Sequence, residues 1–118
     1  MKYTKSHEWV KQEGRVAFIG ISDYAQKEMG DIVYVELPET GREVTVGEEV
    51  CELESVKAVA PVNSPVAGVV CEVNSALDDE PELVNSDAEN TWLFKVENPV
   101  LSGELMDAEE YATYLKTL

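Results

Sequence analysis

The feature that most constrains the fold is a series of short runs rich in β-branched and aromatic residues, each ended by a turn signal. The clearest run is DIVYVELP, which Pro38 ends. The runs HEWVKQ and RVAFIGI are joined by Glu13-Gly14, a hairpin-type connection. Further runs are EEVCELESV, SPVAGVVCEVN and TWLFKVE. Strands this short and this regularly spaced favour a β-sandwich or flattened barrel over a βαβ architecture.

Two segments carry helix signals. SDYAQKEMG begins with a capping serine, Ser22, and ends at a glycine stop, Gly30. DAEEYATYLKTL begins with Asp107, and Glu110 follows three residues later at capping-box spacing. We expect one face of this C-terminal helix to pack against the sheet, a partner-binding face being the alternative; the residues of that face are Tyr111, Tyr114, Leu115 and Leu118. The acidic segment DDEPELVNSD is expected to form a short helix or a turn.

The length and charge of the chain limit its class. With 118 residues, we expect one domain, residues 1–118, with a core of its own. The net charge of −15 argues against nucleic acid or an anionic membrane as partner, because both are anionic. No segment approaches membrane-spanning length, and the N-terminus lacks the apolar centre of a signal peptide. We therefore expect a cytoplasmic protein, or one of the mitochondrial matrix in a eukaryote.

The cysteine and histidine content argues against a metal site. Cys51 and Cys71 both lie in valine-rich runs, and the chain has one histidine, so a zinc site lacks ligands. We interpret both cysteines as small buried hydrophobic residues, with a disulfide or redox role as the alternative. The same shortage argues against a metal-dependent or nucleophilic enzyme.

One lysine stands alone in an acidic region. Lys57 is the only basic residue in the window 43–94, which contains twelve carboxylate residues. If CELESV and KAVAPV are the two arms of a hairpin, this lysine lies at or beside its tip. Side-chain alternation then predicts Leu53 on one face, with Glu52 and Glu54 on the other.

A lysine at such a tip has three uses. A solubilising charge is the commonest. A Schiff-base lysine needs a depressed pKa, whereas the neighbouring Glu52 and Glu54 would hold this ammonium charged. An attachment lysine needs an accessible amine on a rigid protrusion with small flanking side chains, a demand that Ser55, Val56 and Ala58 meet.

The sequence around this lysine resembles the lipoyl-attachment motif of the glycine cleavage system H proteins. The resemblance begins with ESVKA followed by NSPVAGVV. Similar blocks continue in family order over nearly the whole chain, at residues 6–10 (SHEWV), 19–41, 72–77, 81–87 and 105–115. The resemblance implies a mainly β fold, a β-barrel–sandwich hybrid of the lipoyl/biotinyl-like type with short helices and a C-terminal helix.

The resemblance also implies a carrier protein and not an enzyme. In the family a lipoyl arm accepts an aminomethyl group from a pyridoxal-phosphate-dependent glycine decarboxylase. The arm presents this group to a tetrahydrofolate-dependent aminomethyltransferase, and dihydrolipoamide dehydrogenase reoxidises it. By this resemblance Lys57 carries lipoate through an amide bond. The lipoylating enzyme is then expected to recognise Glu54, Ser55, Val56 and Ala58.

The resemblance also implies that the loaded arm, a cation, is sheltered in a cleft near the SHEW motif. Ser6, His7 and Glu8 are the candidate residues of that cleft. Two departures bear on arm protection and partner docking. The position four residues after the lysine, commonly acidic in the family, is Pro61 here, and the loop 86–92 (SDAENTW) has neither the proline nor the glycine that is usual there.

Three alternatives to a glycine cleavage carrier stay open. An H-like protein could relay lipoyl groups to other complexes or serve a specialised lipoylated pathway. A biotin carrier would place methionines on both sides of the lysine, whereas Val56 and Ala58 stand there. The last alternative is an unmodified β-sandwich interaction domain whose lysine is incidental.

Overall fold

A computed structural model describes residues 1–118, which form nine β-strands, four short α-helices and one 3-10 turn. The strands are β1 (Lys2–Tyr3), β2 (Glu8–Glu13), β3 (Val16–Ile21), β4 (Ile32–Glu36), β5 (Glu43–Val44), β6 (Glu49–Ser55), β7 (Val59–Asn63), β8 (Val66–Val73) and β9 (Phe94–Leu101). The helices are α1 (Asp23–Met29), α2 (Ala76–Asp79), α3 (Leu83–Ser86) and α4 (Ala108–Leu115), and the 3-10 turn is Ala88–Asn90.

The strands form two antiparallel sheets. The larger sheet has the order β1-β2-β3-β9-β8-β5, and the smaller has the order β4-β6-β7. Both sheets contribute to one buried core, with Ile19 and Phe94 from the larger sheet and Val35 and Leu53 from the smaller. Burying an aromatic or branched aliphatic side chain of this kind stabilises the fold by roughly 1.5–3 kcal/mol. The expected barrel–sandwich arrangement is confirmed.

Helix α1 begins and ends where the sequence predicts. Ser22 is its N-cap, and the hydroxyl oxygen accepts a hydrogen bond from the backbone N–H of Ala25. Gly30 ends the helix at φ 78°, a backbone conformation that favours glycine, and its N–H donates to the carbonyl of Gln26. This glycine places the chain at the start of β4, next to the hairpin formed by β6 and β7.

Helix α4 has the predicted capping box, but it is shorter than its apolar spacing suggests. Asp107 accepts a hydrogen bond from the N–H of Glu110, whose side chain accepts one from the Asp107 N–H. Tyr111 is buried, whereas Leu118 is 62% exposed. The expectation that Leu118 packs against the sheet is therefore wrong. The helix ends at Leu115, so its spacing does not extend to residue 118.

A second apolar cluster joins the C-terminal helix to the start of the chain. It contains Tyr3, Trp9 and Tyr111. The indole of Trp9 lies against Gly20, where an added Cβ would be 2.5 Å from the ring, and its N–H donates to the carbonyl of Ala88. The altered loop 86–92 thus closes over Trp9 through its 3-10 turn, which needs neither proline nor glycine.

Cys51 is buried, Cys71 is half-buried, and both thiols are free. Burial raises the pKa of the Cys51 thiol to about 12, so it is a poor nucleophile at neutral pH. No three histidine, cysteine or carboxylate side chains lie close enough together to hold a metal ion. None of the helices has the length and apolar character that crossing a bilayer requires.

Candidate functional site

Lys57 lies on the tip of a tight hairpin. Strands β6 and β7 pair antiparallel, with Leu53 opposite Ala60 and Glu54 opposite Val59. Residues 56–58, called the tip below, join the two strands. As predicted, Leu53 faces the core while Glu54 is exposed.

Ser55 holds the tip from inside. Its backbone N–H donates to the carbonyl of Ala58 at 2.8 Å. Its hydroxyl oxygen accepts hydrogen bonds from the backbone N–H groups of Ala58 at 3.0 Å and Lys57 at 3.3 Å. Ser55 is 7% exposed, so its side chain shapes the tip and offers little surface to a partner. The other three residues expected in recognition, Glu54, Val56 and Ala58, are exposed.

The side chain of Lys57 is exposed and crosses over Gly30. A Cβ on Gly30 would lie 3.3 Å from Lys57 Cε and 3.9 Å from Nζ. Lys57 takes part in none of the ion pairs of the structure. The tip is also tied to the α1–β4 connection, because the Val56 N–H donates to the Asp31 carbonyl at 3.1 Å. The amine therefore stands on a rigid support with solvent around it.

Asn85 fixes the segment beneath the lysine, a contact that the sequence analysis missed. Its side-chain N–H groups donate to the Gly30 carbonyl at 2.9 Å and to Gln26 Oε1 at 3.0 Å. Its side-chain oxygen accepts from the N–H of Ile32 at 2.8 Å. The only available signal was its place in the block PELVNSD.

Beside the hairpin lies a cleft of about 340 Å³. The three candidate residues Ser6, His7 and Glu8 line one wall, called the loop wall. The other contributors come from α1 and from the hairpin; they are Tyr24, Ala25, Glu28, Met29, Leu53, Ala60 and Pro61, with Ile21 between them. The α1 residues form the helix wall. Because Met29 directly precedes Gly30, which Lys57 covers, the lysine stands beside this cleft.

Glu8 places a buried carboxylate in the cleft wall without a cation partner. It is 2% exposed and takes part in no ion pair. Its oxygens accept hydrogen bonds from Thr4 Oγ1 at 2.6 Å, Ser6 Oγ at 2.5 Å and the Asn63 N–H at 3.2 Å. Burial raises the pKa of this carboxyl, although the hydrogen bonds act in the opposite direction. A carboxylate of this kind suits a positively charged ligand.

Glu28 is a second carboxylate of the cleft, and the sequence analysis missed it. It belongs to the helix wall, whereas Pro61, which the hairpin contributes to the cleft, has no charge to offer. Nothing in the segment KEMG marks Glu28 as different from any exposed helical acid. Its role depends on how α1 packs beside the loop wall, which is a tertiary relationship.

His7 has an unusual backbone and a well-defined side-chain environment. Its φ is 76°, the left-handed region that few residues other than glycine adopt. Its ring lies 4.7 Å from the ring of Tyr24, and Nδ1 is 2.8 Å from the Tyr111 hydroxyl. Burial lowers the pKa of His7, with Glu28 opposing that change. Trp9, by contrast, packs under the loop 86–92 and lies outside the cleft.

Comparison with known proteins gives consistent results. The sequence model described as glycine cleavage H-protein matches residues 1–118. A probable glycine cleavage system H protein of Thermococcus gammatolerans is 55% identical over 121 residues, which cover 98% of this chain and 90% of that protein. The glycine cleavage system H protein of Treponema denticola is 54% identical over 111 residues, covering 94% of this chain and 91% of the relative.

Solved structures agree with the sequence comparison. The crystal structure of a glycine cleavage system H protein from Mycobacterium marinum superimposes with a TM-score of 0.89 at 37% identity. The match covers 99% of this chain and 96% of that one. With the fold, the exposed lysine and the adjoining cleft in place, the chain belongs to the glycine cleavage H-protein family.

Proposed function

We propose that the protein is a lipoyl carrier of the glycine cleavage system, with lipoate attached to Lys57 through an amide bond. When bound, lipoate supplies a dithiolane that can accept and release an aminomethyl group. The observation that carries the proposal is an exposed amine on a rigid tip, beside a cleft that contains a buried carboxylate without a cation. Tethering replaces a diffusing cofactor with one at high effective concentration near each docked enzyme.

The residues around Lys57 fit an attached acyl group. The amine has no ion-pair partner that acylation would leave uncompensated. Ala58 is small. Gly30 has no side chain and so leaves room for the lysine stem, whose Cε would lie only 3.3 Å from an added Cβ. Glu54, Val56 and Ala58 are exposed for contact with a lipoylating enzyme, while Ser55 fixes the shape that the enzyme meets.

The cleft residues fit a cationic group joined to an apolar stem. Met29, Leu53 and Ile21 give apolar contact, while Ser6, Glu8 and Glu28 give polar and anionic contact. A bound cation would offset the cost of keeping the Glu8 carboxylate buried. Glu28 supplies a negative charge from the helix wall of the cleft. This charge takes the place of the acidic residue that Pro61 replaces.

Membership of the glycine cleavage H-protein family supports a set of partners within the glycine cleavage system. We propose the pyridoxal-phosphate-dependent glycine decarboxylase, the aminomethyltransferase, dihydrolipoamide dehydrogenase and a lipoylating enzyme. The protein itself acts as a carrier and performs no catalysis, and we propose residues 1–118 as one domain. Because the two relatives described above come from prokaryotes, we propose the cytoplasm as the compartment of this protein.

A relay of lipoyl groups to other complexes is the second candidate function, and Pro61 favours it. A protein that only passes on its lipoyl group has no need to shelter an aminomethyl cation. Complementation of a strain without its own H protein separates the two candidates. Growth on glycine as one-carbon source supports the glycine cleavage role, whereas restored lipoylation of other complexes alone supports the relay.

Glycine–bicarbonate exchange tests the proposed function. We expect lipoylated protein, mixed with glycine decarboxylase, to support exchange of labelled bicarbonate into glycine. Lys57→Arg keeps the charge and removes the acylation site, so it should abolish exchange. Lys116→Arg, at an exposed position near the C-terminus, is the matched control and should retain exchange. Full exchange with Lys57→Arg would refute the attachment site.

A further inference from the structure

The hydroxyl of Tyr111, on the C-terminal helix, lies between a side chain of the loop wall and the N-cap residue of α1, the helix that forms the other wall. It is 2.8 Å from Nδ1 of His7 in the loop wall. It is 2.7 Å from the hydroxyl of Ser22, the N-cap of the helix that forms the other wall. Tyr111 is 5% exposed and Ser22 is 1% exposed, so water does not supply the hydrogen bonds of these groups.

The surrounding contacts decide which group donates to which. The Ser22 oxygen already accepts from the N–H of Ala25. Its only remaining neighbour for its own proton is the Tyr111 oxygen, so Ser22 donates to Tyr111. Burial raises the pKa of the Tyr111 hydroxyl to about 12, and that hydroxyl keeps its proton at neutral pH. Tyr111 then donates to Nδ1 of His7, which must be unprotonated to accept.

This direction leaves the His7 proton on Nε2. The opposite direction, with Nδ1–H donating to Tyr111 and Tyr111 donating to Ser22, would bury the Ser22 proton without an acceptor. Nε2 has no hydrogen-bond partner within the protein, and His7 lines the cleft. A neutral ring that keeps one N–H donor adds no positive charge to the cleft wall, so it does not compete with a cationic ligand.

We propose that Tyr111 is a positioning residue for the cleft: its hydroxyl holds His7 as the neutral Nε2–H tautomer and joins the loop wall to the helix wall. A hydrogen bond from the His7 Nε2–H to a bound lipoyl arm rests on the proposed function, whereas the tautomer itself does not. The other titratable groups around the His7 ring are Glu8, Tyr24, Glu28 and Tyr114.

Nitrogen-15 NMR of the imidazole tests the proposal directly, because His7 is the only histidine in the chain. The spectra are recorded on unlipoylated protein at a pH of about 8, where an imidazole with an ordinary pKa near 6.5 is neutral. Tyr111→Phe keeps the ring that stacks on Tyr3 at 4.4 Å, so the fold should persist. Tyr114→Phe removes a hydroxyl from the same helix and is the matched control, since that group contacts the Lys5 carbonyl.

We expect the Nε2–H tautomer in the wild-type protein. Tyr111→Phe should lower the ratio of Nε2–H to Nδ1–H by about fivefold, the change in an equilibrium constant expected from the loss of one hydrogen bond. Tyr114→Phe should leave the ratio unchanged. An Nδ1–H tautomer in the wild-type protein overturns the proposal, whether or not the variant folds. An unchanged ratio in folded Tyr111→Phe, or an equal change in both variants, also overturns it.

A second readout separates this inference from the proposed function. Once lipoylated, Tyr111→Phe should exchange bicarbonate into glycine more slowly than Tyr114→Phe. Equal rates would refute a role for Tyr111 in the cleft. If Lys57 carries no lipoate, all of these proteins lack exchange, which refutes the proposed function while the tautomer measurement still decides the role of Tyr111.

Discussion

The side chain of Lys57 passes close to Gly30, with Cε 3.3 Å from the position of an added Cβ, which is closer than an ordinary van der Waals contact. Because Gly30 also has φ 78°, substitution by alanine brings two separate penalties. With ψ at −159°, its backbone lies in a region that essentially only glycine adopts, so we expect Gly30→Ala to lose roughly 1–3 kcal/mol of stability. Displacement of the amine should also reduce kcat/KM for lipoylation by roughly three- to tenfold.

Gly14 provides the control for this prediction. It has φ 61°, and an added Cβ would meet nothing within 4 Å. Gly14→Ala should therefore lose stability in urea denaturation through its backbone conformation alone, with an unchanged rate of lipoylation by a lipoate–protein ligase. Equal effects of the two substitutions on the ligase would show that the Gly30 contact does not matter for Lys57.

Removing the Ser55 hydroxyl should loosen the tip. Ser55→Ala leaves the N–H groups of Lys57 and Ala58 without their side-chain acceptor. We expect a loss of roughly 1–2 kcal/mol in the free energy of unfolding, together with slower lipoylation. Ser86→Ala, at an exposed position of α3, is the control for stability. Normal lipoylation of a destabilised Ser55→Ala protein would contradict the role of Ser55 in shaping the tip.

The buried carboxyl of Glu8 should make stability depend on pH. Its folded-state pKa lies above its unfolded value of 4.5, because burial penalises the charged form. The protonated carboxyl thus contributes stability that is complete below pH 4.5 and is lost as the pH rises through the folded-state pKa. Asp23, Glu48 and Asp107 have lowered pKa values, so their contributions are lost as the pH falls.

Comparison with Glu8→Gln isolates the Glu8 contribution, because the other acids are common to both proteins. The stability of the wild-type protein relative to Glu8→Gln should increase as the pH is lowered from about 7 to about 5. Urea denaturation at the two values measures this difference. A relative stability that is constant, or that falls with decreasing pH, would contradict the burial of an uncompensated carboxylate.

Two carboxylates on the outer face of the smaller sheet should repel each other. Glu36 and Glu52 are directly opposite in the β4–β6 register, both are exposed, and neither takes part in an ion pair. Neutralising one of them, as in Glu52→Gln, should stabilise the fold by about 0.5 kcal/mol at low salt. Thermal denaturation should show this gain shrinking as salt is added. Glu97→Gln on the larger sheet is the control, and an equal gain there would indicate a general effect of net charge.

Local patterns in the sequence were sufficient to predict much of the fold and the exposed position of Lys57. Alternation around Leu53 placed Glu52 and Glu54 outside, and the signals at Ser22 and Gly30 correctly bounded α1. These predictions succeed because each depends on neighbours along the chain. The exposed position of Lys57 follows from the same hairpin pattern.

Other features of the site depend on contacts between distant residues, so no local pattern marks them. Asn85 bonds to Gly30 across 55 positions, and Tyr111 reaches His7 across 104. A register shift in β4 turns both Val33 and Tyr34 outward, each 51% exposed, where simple alternation would bury one of them. Periodicity alone gives no sign of such a shift.

The central claim is that Lys57 is the residue to which lipoate is attached. Intact-mass measurement and peptide mapping of protein isolated from its own cells test it most directly. We expect one lipoyl increment per chain, located on the peptide that contains Lys57, and none on Lys57→Arg protein expressed in the same cells. Lipoate on a different lysine, or an unmodified chain in cells whose other lipoyl proteins are fully modified, would contradict the claim.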